Sequence, residues 1–416
     1  MNGGRVVIVG GGVIGAACAY YLRQAGREVT IIDRGEFGQG CSHANCGYVC
    51  PSHVLPHAGP GALGPALKAL LTPNSPLTIK PRFDPALWGW LIRFARRCNR
   101  RSMLDAGQAI KALLDSSRRL YDDLMRVEMF DVEWEEKGLL FVYQTAHAFE
   151  HYAQIDRLLR DEFCVPAERW DAATLAEKEP ALLPGLPGAW FYPGDAQLRP
   201  DRLMDAWRRW LISHGVEIRE RCELLGFTRQ GRTARAAETS NGTIAADAVV
   251  VATGAWTPLL RRHLGGRLPI QPGKGYSITM PRPDPCPNRS MIFEEHRVAV
   301  TPFRSGYRLG STMEFAGHDA TLNRRRLELL TRGAAHYLRA PTAAPIQEEW
   351  WGWRPMVYDG LPIIGPSVAL ENVVIAAGHG MLGLSMAPAT GRLVAEILSG
   401  QPPHLDPAPY RATRFG

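Results

Sequence analysis

Residues 6–15 read VVIVGGGVIG. Gly10, Gly12 and Gly15 fall at the spacing G-x-G-x-x-G behind an apolar strand. In that pattern each glycine has its own work. The first allows a tight turn, the second lets backbone approach a pyrophosphate, and the third lets a helix pack closely on the sheet. The helix that opens at Val13 and Ile14 would offer free N–H groups to phosphates. Strand 28–32 ends at Asp33, whose carboxylate can accept ribose hydroxyls and disfavours a 2′-phosphate. Arg34 follows it and is grouped with the nucleotide residues. Strand, glycines, helix, strand and acid in that order predict a dinucleotide site rather than a Gly-rich structural turn. No Lys-Ser/Thr follows the glycines, so the loop is not a Walker A motif.

Two later stretches repeat the pattern of strand followed by glycine. Residues 242–251 lead into Ala252, Thr253 and Gly254. Residues 373–376 lead into Gly378, His379, Gly380, Met381 and Leu382, then a helix over about 385–398. A nicotinamide domain is usually continuous, whereas this chain leaves its nucleotide domain and returns to it. The last helix N-terminus suits the far end of an extended cofactor, where its partial positive charge stabilises electrons on a flavin pyrimidine. An NAD-only reading has less use for this feature, so FAD is the expected cofactor and an NAD-dependent dehydrogenase stays as an alternative. No His or Cys is placed by sequence logic for attachment, so non-covalent binding is expected.

Residues 38–53, GQGCSHANCGYVCPSH, are too irregular for one helix. Ser42 and Asn45 can bond phosphates or cap a short helix. Cys41, Cys46 and Cys50, with His43 and His53 nearby, raise a metal reading. Their spacing does not match a C-x₂-C pair, so buried thiols and no metal site are expected.

These residues need a scaffold. The 416-residue length suggests two or three domains. Residues 83–187 lack nucleotide glycines and read as a cap. It contains helices at 105–129, 146–161 and 172–180, and a strand at 138–143. A helix from Arg199-Pro200-Asp201 to Ser213 and strands over 216–251 return to the nucleotide domain. Strands at 273–280, 297–303 and 307–315, with a hairpin turn at Arg304-Ser305-Gly306, and a helix at 322–338 complete a substrate domain. A short helix is expected at 65–71. The segment 83–101 starts a helix at Asp84-Pro85, with Trp88, Leu91, Ile92 and Ala95 at helical spacing. Arg93, Arg96, Arg97, Arg100 and Arg101 gather toward its end. It reads either as a core-packed helix or as a membrane-surface helix meeting anionic head groups.

Forty-eight basic against 41 acidic residues give a formal charge of +7. Without a nucleic-acid signature this excess fits anionic small molecules or a membrane surface, not nucleic acid. No apolar run reaches 18 residues, no signal-peptide pattern opens the chain, and eight cysteines suggest no disulfide framework. A cytoplasmic location is expected, including the inner face of the cytoplasmic membrane.

The stretches VVIVGGGVIGAACAYYLRQAG, SHANCGYVCPS, DAQLRPDRL, VVVATGAW, KGYSITM, GWRPMVYDGLPIIG and AGHGMLGLSMAPATG span nearly the whole chain. In these the sequence resembles the FAD-dependent D-amino-acid oxidase and dehydrogenase superfamily, most closely bacterial D-amino-acid dehydrogenases. The resemblance implies an α/β fold with a discontinuous Rossmann-like FAD-binding domain and an α+β substrate domain on a mostly antiparallel sheet. The FAD domain would take 1–82, 188–262 and 350–416, and the substrate domain 83–187 and 263–349. It also implies oxidative deamination of D-amino acids by hydride transfer from Cα to flavin N5, with electrons passed to a quinone or another acceptor. Cyclic substrates such as proline or hydroxyproline are included. Ser42, Asn45 and Gly47 match the loop before the isoalloxazine ring, and Gly378–Leu382 the loop over its pyrimidine side. Arg354 matches the arginine that clamps the substrate carboxylate. Cys46 and Cys50 depart from the small residues of the family. Tyr276 either bonds substrate or packs its strand, and His53 is a candidate for the substrate channel. Glu314 is expected to pair with an Arg. Alternatives are an O₂-using amino-acid oxidase, and a non-catalytic or RNA-modifying FAD-fold protein.

Overall fold

The computed structural model describes every residue except 1–2, 65–67, 69–71 and 73–74. Apart from Lys68, the helix expected at 65–71 lies outside the described residues.

Strand Gly3–Val9 is apolar on both faces because it is central. Arg27–Ile32 flanks it on one side and Ala248–Val251 on the other, both parallel. The first sheet has six strands in the order Ile363–Pro366, Val373–Ala377, Ala248–Val251, Gly3–Val9, Arg27–Ile32, Glu217–Arg219. Only the edge pair Ile363–Pro366 with Val373–Ala377 is antiparallel. Alternation sends Val6 and Ile8 into one core and Val7 and Val9 into another. The first core is closed by helices Val13–Gln24 and Gly383–Ser399, which meet at Gly391. A Cβ there would lie 2.5 Å from the Ala17 carbonyl oxygen. The second core is closed by the three-stranded sheet Leu224–Gln230, Thr233–Thr239 and Gly242–Ala245.

The second sheet has nine strands and is mostly antiparallel. Along it run Glu348–Val357, Ile270–Met280, Gly306–Phe315, Val298–Phe303, Ser290–Phe293, Leu139–Tyr143, Gly188–Tyr192 and Glu168–Asp171. Leu77–Ile79 pairs with Gly306–Phe315, and Phe303 pairs with Gly306 across a two-residue turn.

Sheet membership moves two expected domain boundaries. Gly188–Tyr192 pairs with Leu139–Tyr143, so the chain returns to the cofactor sheet after Tyr192 and not at 188. Glu348–Val357 is an outer strand of the second sheet, so that sheet is left at 357 and not at 350. The helix starting at Asp84 is capped as expected, with Asp84 Oδ1 accepting from Leu87 N at 2.9 Å. It ends at Arg97, however, and Asn99 caps a new helix, Arg100–Glu128, by accepting from Ser102 N. Arg100 and Arg101 thus open the second helix and do not close the first. The buried face of Pro85–Arg97 carries Leu87 and Trp90, while Trp88 and Ile92 are each 56% exposed. Arg100–Glu128, expected in the cap, packs on the last helix of the cofactor domain. Ser117 Oγ accepts from Ala389 N, and Tyr121 donates to the Leu384 carbonyl.

Candidate active site

Three glycine-bearing turns leave the carboxyl ends of three adjacent parallel strands, Val373–Ala377, Ala248–Val251 and Gly3–Val9. That edge is where open parallel sheets bind ligands. The turns touch one another. Ala252 N donates to the Val9 carbonyl at 2.8 Å, and a Cβ on Gly10 (φ +109°) would lie 2.5 Å from the Ala252 carbonyl oxygen. A Cβ on Gly15 would overlap the Gly10 carbonyl, so that helix and turn could no longer close together. Asp33 accepts from Gly11 N and Gly35 N, each at 2.7 Å. Arg34 lies over the Trp256 ring at 5.2 Å. Gly12 caps the first helix with no side-chain bond; instead Ser42 Oγ accepts from Val13 N at 2.9 Å. The last helix is likewise uncapped by side chains at Leu382.

A cavity of about 2030 Å³ runs from Asp33 and Arg34 past the 42–47 loop to Arg354, between the two sheets. Gly12, Val13, Ile14, Ala252, Thr253, Gly254, His379, Gly380, Met381 and Leu382 line it. Gly15 and Gly378 stand behind the wall as packing residues. Gly378 (φ +82°) turns against Val357. The His379 imidazole meets Thr390 Oγ1 at 3.0 Å, and burial pushes it down to about 3, leaving backbone as its contribution to the wall. A long cavity with a bare glycine cradle and two uncapped helix N-termini fits an extended dinucleotide with a flavin end.

The loop reaching that end hangs from the second sheet. Three neighbouring strands each send one donor to three successive carbonyls. Ser277 Oγ reaches Ala44 (2.8 Å), Arg308 Nη1 reaches Asn45 (2.8 Å), and Thr301 Oγ1 reaches Cys46 (2.6 Å). The Asn45 amide stays within the loop, donating to the Ser42 carbonyl and accepting from Gly47 N. Ser385 Oγ ties the loop to the last helix, donating to the Tyr48 carbonyl and accepting from Cys50 N.

Arg354 stands opposite Gly273 on the strand Glu348–Val357, and Gly380 N donates to the neighbouring Pro355 carbonyl. Gly275 makes room for the guanidinium, since a Cβ there would overlap it. Nη1 donates to the Thr312 carbonyl (2.5 Å) and Nη2 to the Ser311 carbonyl (3.4 Å). Ser311 (φ +120°) and Thr312 (φ +53°) take left-handed backbone where the ladder with Tyr276 shifts register. The bulge aims both carbonyls at the arginine. No carboxylate pairs with Arg354 among the described residues. Asp359, a possible partner, is bound to Arg414 at 2.8 Å, and Arg304 pairs with Asp131 at 3.0 Å. Burial lowers the Arg354 pKa, while the nearby Cys41 and Cys46 thiols act in the opposite sense.

Residues 5–397 match the family described as FAD dependent oxidoreductase (DAO). The D-amino acid dehydrogenase of Methylobacterium nodulans is 35% identical over 96% of this chain and 96% of its own. That of Xanthobacter autotrophicus is 34% identical over 99% of each. Among solved structures, glycine oxidase from Geobacillus kaustophilus aligns over 99% of both chains with a TM-score of 0.77 and 26% identity. L-proline dehydrogenase from P. horikoshii shares the fold, with a TM-score of 0.73 and 21% identity over 100% of this chain and 98% of that one. The chain belongs to the FAD dependent oxidoreductase family. It is an enzyme of the amino-acid oxidase and dehydrogenase class whose cofactor, FAD, is held non-covalently.

Of the two readings of Tyr276 in this FAD dependent oxidoreductase, strand packing is the one its contacts favour. Tyr276 is 1% exposed and donates to Glu314 Oε2 at 2.5 Å, within the core that holds Ile278 and Leu327. The residues alternating with it, Gly275 and Ser277, are the ones turned to Arg354 and the loop. Its hydroxyl proton is committed to Glu314, although the residue also lines the cavity, and Glu314, expected to pair with an Arg, bonds a tyrosine. His53 does line the cavity, with its ring 5.5 Å from that of Phe141. Burial and the neighbouring His57 hold it down at about 4. Cys50, expected as a buried thiol, is one, and burial raises it well above its ordinary value. Its sulfur, His53 and Asp195 bring ligand-type atoms within 4.8 Å of one another, although no metal was expected there. Sequence reasoning missed the three-carbonyl grip, Ser385, Ser52 and Asp195. Asp195 lies in the quoted DAQL stretch, and that is the only signal for it.

Proposed function

We propose that the protein dehydrogenates D-amino acids, cyclic ones such as proline and hydroxyproline included. Its electrons pass to a quinone or another acceptor rather than to O₂. The observation that carries this is Arg354. Two of its five N–H donors are engaged by carbonyl oxygens, and Nη1 also meets the weak thioether acceptor Met313 Sδ at 3.8 Å, so a bidentate carboxylate has only that contact to displace. The D configuration and the non-oxygen acceptor are supported by the names of relatives 33–35% identical over nearly the whole chain. Bound FAD supplies the hydride acceptor. Arg354 fixes the carboxylate and so orients Cα. Anaerobic mixing with D- and L-amino acids, proline and 4-hydroxyproline among them, should bleach the flavin with D-substrates. Bleaching by L-enantiomers alone would reverse the stereochemistry. Turnover with air as fast as with quinone analogues would favour the oxidase reading.

An anionic cytoplasmic membrane surface is proposed as the place where electrons leave. Among the described residues no helix is long and apolar enough to cross a membrane. Phe83, Trp88 and Ile92 are 94%, 56% and 56% exposed on or beside the helix Pro85–Arg97, which also carries Arg93, Arg96 and Arg97. Exposed apolar residues beside a basic end suit an interfacial helix. The holoenzyme should co-sediment with anionic vesicles and be released by salt. Indifference to both would remove the membrane role.

A further inference from the structure

We propose that Asp195, Ser52 and His53 form a relay that makes His53 Nε2 the acceptor of the proton leaving the substrate ammonium. The proposal rests on the amino-acid reading above. Strand Tyr48–Val49 pairs with Ala196–Gln197, which brings the turn holding Ser52 and His53 against Asp195. Asp195 is 1% exposed and accepts from both Ser52 N (3.0 Å) and Ser52 Oγ (2.5 Å). While Asp195 is ionised, Ser52 Oγ gives its proton there and accepts from His53 Nδ1, 3.3 Å away. The proton therefore sits on Nδ1 and the lone pair on Nε2. Nε2 has no partner among the described residues, and the ring lines the same cavity as Arg354.

The charges around the relay are few. His57 and the Cys50 thiol face His53, Arg297 and Arg354 act on His57, and Arg118 acts on Asp195. Burial raises Asp195 to about 7 and keeps His53 neutral at rest. In the step an ammonium N–H bond breaks and its proton goes to Nε2. The freed nitrogen lone pair forms the C=N bond as the Cα hydrogen leaves with its electron pair to the FAD acceptor. The imidazolium then has Ser52 and the Asp195 carboxylate behind it, and gives the proton up when product leaves.

In His53→Gln with full FAD, anaerobic flavin reduction at saturating substrate should fall about 100-fold at pH 7, the scale of one positioned base. It should climb back toward wild type as pH rises and the substrate amine loses its own proton. Ser52→Ala should fall between the two. Independently, ¹⁵N NMR of histidine-labelled holoenzyme should show His53, identified by its loss in His53→Gln, as the Nδ1–H tautomer, and Ser52→Ala should lose that preference. A loss equal at all pH values, a loss of only a few-fold, or an Nε2–H tautomer in the wild type would overturn the relay. Failure of every amino acid to bleach the wild-type flavin would instead overturn the functional reading, and the tautomer would still test the relay.

Discussion

The two ends of the cavity meet their ligand with opposite materials. At the nucleotide end, left-handed backbone is given to glycine, as at Gly10 (φ +109°), and the wall is main chain brought together by parallel strands. At the substrate end, left-handed backbone is forced on Ser311 (φ +120°) and Thr312 (φ +53°), and position is set by side chains crossing between sheets. The first end is a turn geometry that any dinucleotide of this shape can use. The second is a local device that holds one arginine and one loop. Damage to the first should remove the cofactor outright. Damage to its arginine should leave a yellow protein that works badly, and damage to its loop should loosen the cofactor without removing it.

The largest expected effect is at the first end. Gly15→Val sets a side chain on the Gly10 carbonyl, with no flexible neighbour to yield. The purified variant should be colourless, or fail to accumulate, and added FAD should not restore its spectrum. Stoichiometric FAD in the variant would show that the turn is not what holds the cofactor. In the wild type, acid precipitation should release all the yellow colour into the supernatant. Colour left in the pellet would mean a covalent link.

Arg354→Met should strike the other end alone. Losing the buried charged contact costs about 2–5 kcal/mol, or roughly 30- to 3,000-fold in kcat/KM by the usual conversion. FAD content should stay at the wild-type level. An amide analogue of the substrate should already react poorly with the wild type and lose little more in the variant. Coupled loss of FAD and activity would mean that the ends are not separable.

The same contrast governs what could be read without coordinates. The first glycine turn, its helix start and Asp33 form a local pattern, with Asp33 only 22 positions from the Gly11 N–H it accepts from. Arg354 was reached only through resemblance, because its partners Ser311 and Thr312 lie 43 and 42 positions away. The grip of Ser277, Arg308 and Thr301 spans 233, 263 and 255 positions, and each residue alone reads as an ordinary strand residue. For Tyr276 substrate contact and strand packing both stayed open, because a strand period of two does not say which face meets the site. The helix after Asp84 left the same kind of question open: Leu87 and Trp90 hold its buried face, while Trp88 and Ile92 lie exposed on the face a membrane-surface helix would need. Asp195 was hidden because a two-residue strand pair has almost no sequence signature.

Removing part of the grip should have an intermediate effect. Ser277→Ala with Thr301→Val deletes two of the three donors to the 44–46 carbonyls. At about 1 kcal/mol per bond, the two lost bonds should ease FAD dissociation by up to roughly 30-fold, read by flavin fluorescence on dilution. The flavin spectrum of the remaining holoenzyme should also shift as the loop loosens. An unchanged FAD Kd would mean that Arg308 alone holds the loop.

The smallest effect tests whether the substrate end stores strain. Ser311 sits at φ +120°, a region that costs a side-chain-bearing residue about 1–3 kcal/mol. Its carbonyl, not its side chain, meets Arg354. Ser311→Gly keeps that carbonyl and removes the conflict, while glycine adds back about 0.5–1 kcal/mol of chain entropy lost on folding. The balance is a gain near 1 kcal/mol, or about 1–3 °C in melting temperature for a chain of this size. Because glycine accepts the same φ, the carbonyl should still reach Nη2, and kcat/KM should stay within about twofold, well below one lost hydrogen bond. At Gly10 the reverse exchange, Gly→Ser, should be severe, because its Cβ meets the Ala252 carbonyl as well as the unfavourable φ. A fall in melting temperature for Ser311→Gly would show that the side chain stabilises the bulge, and the contrast between the two ends would then be one of contacts and not of strain.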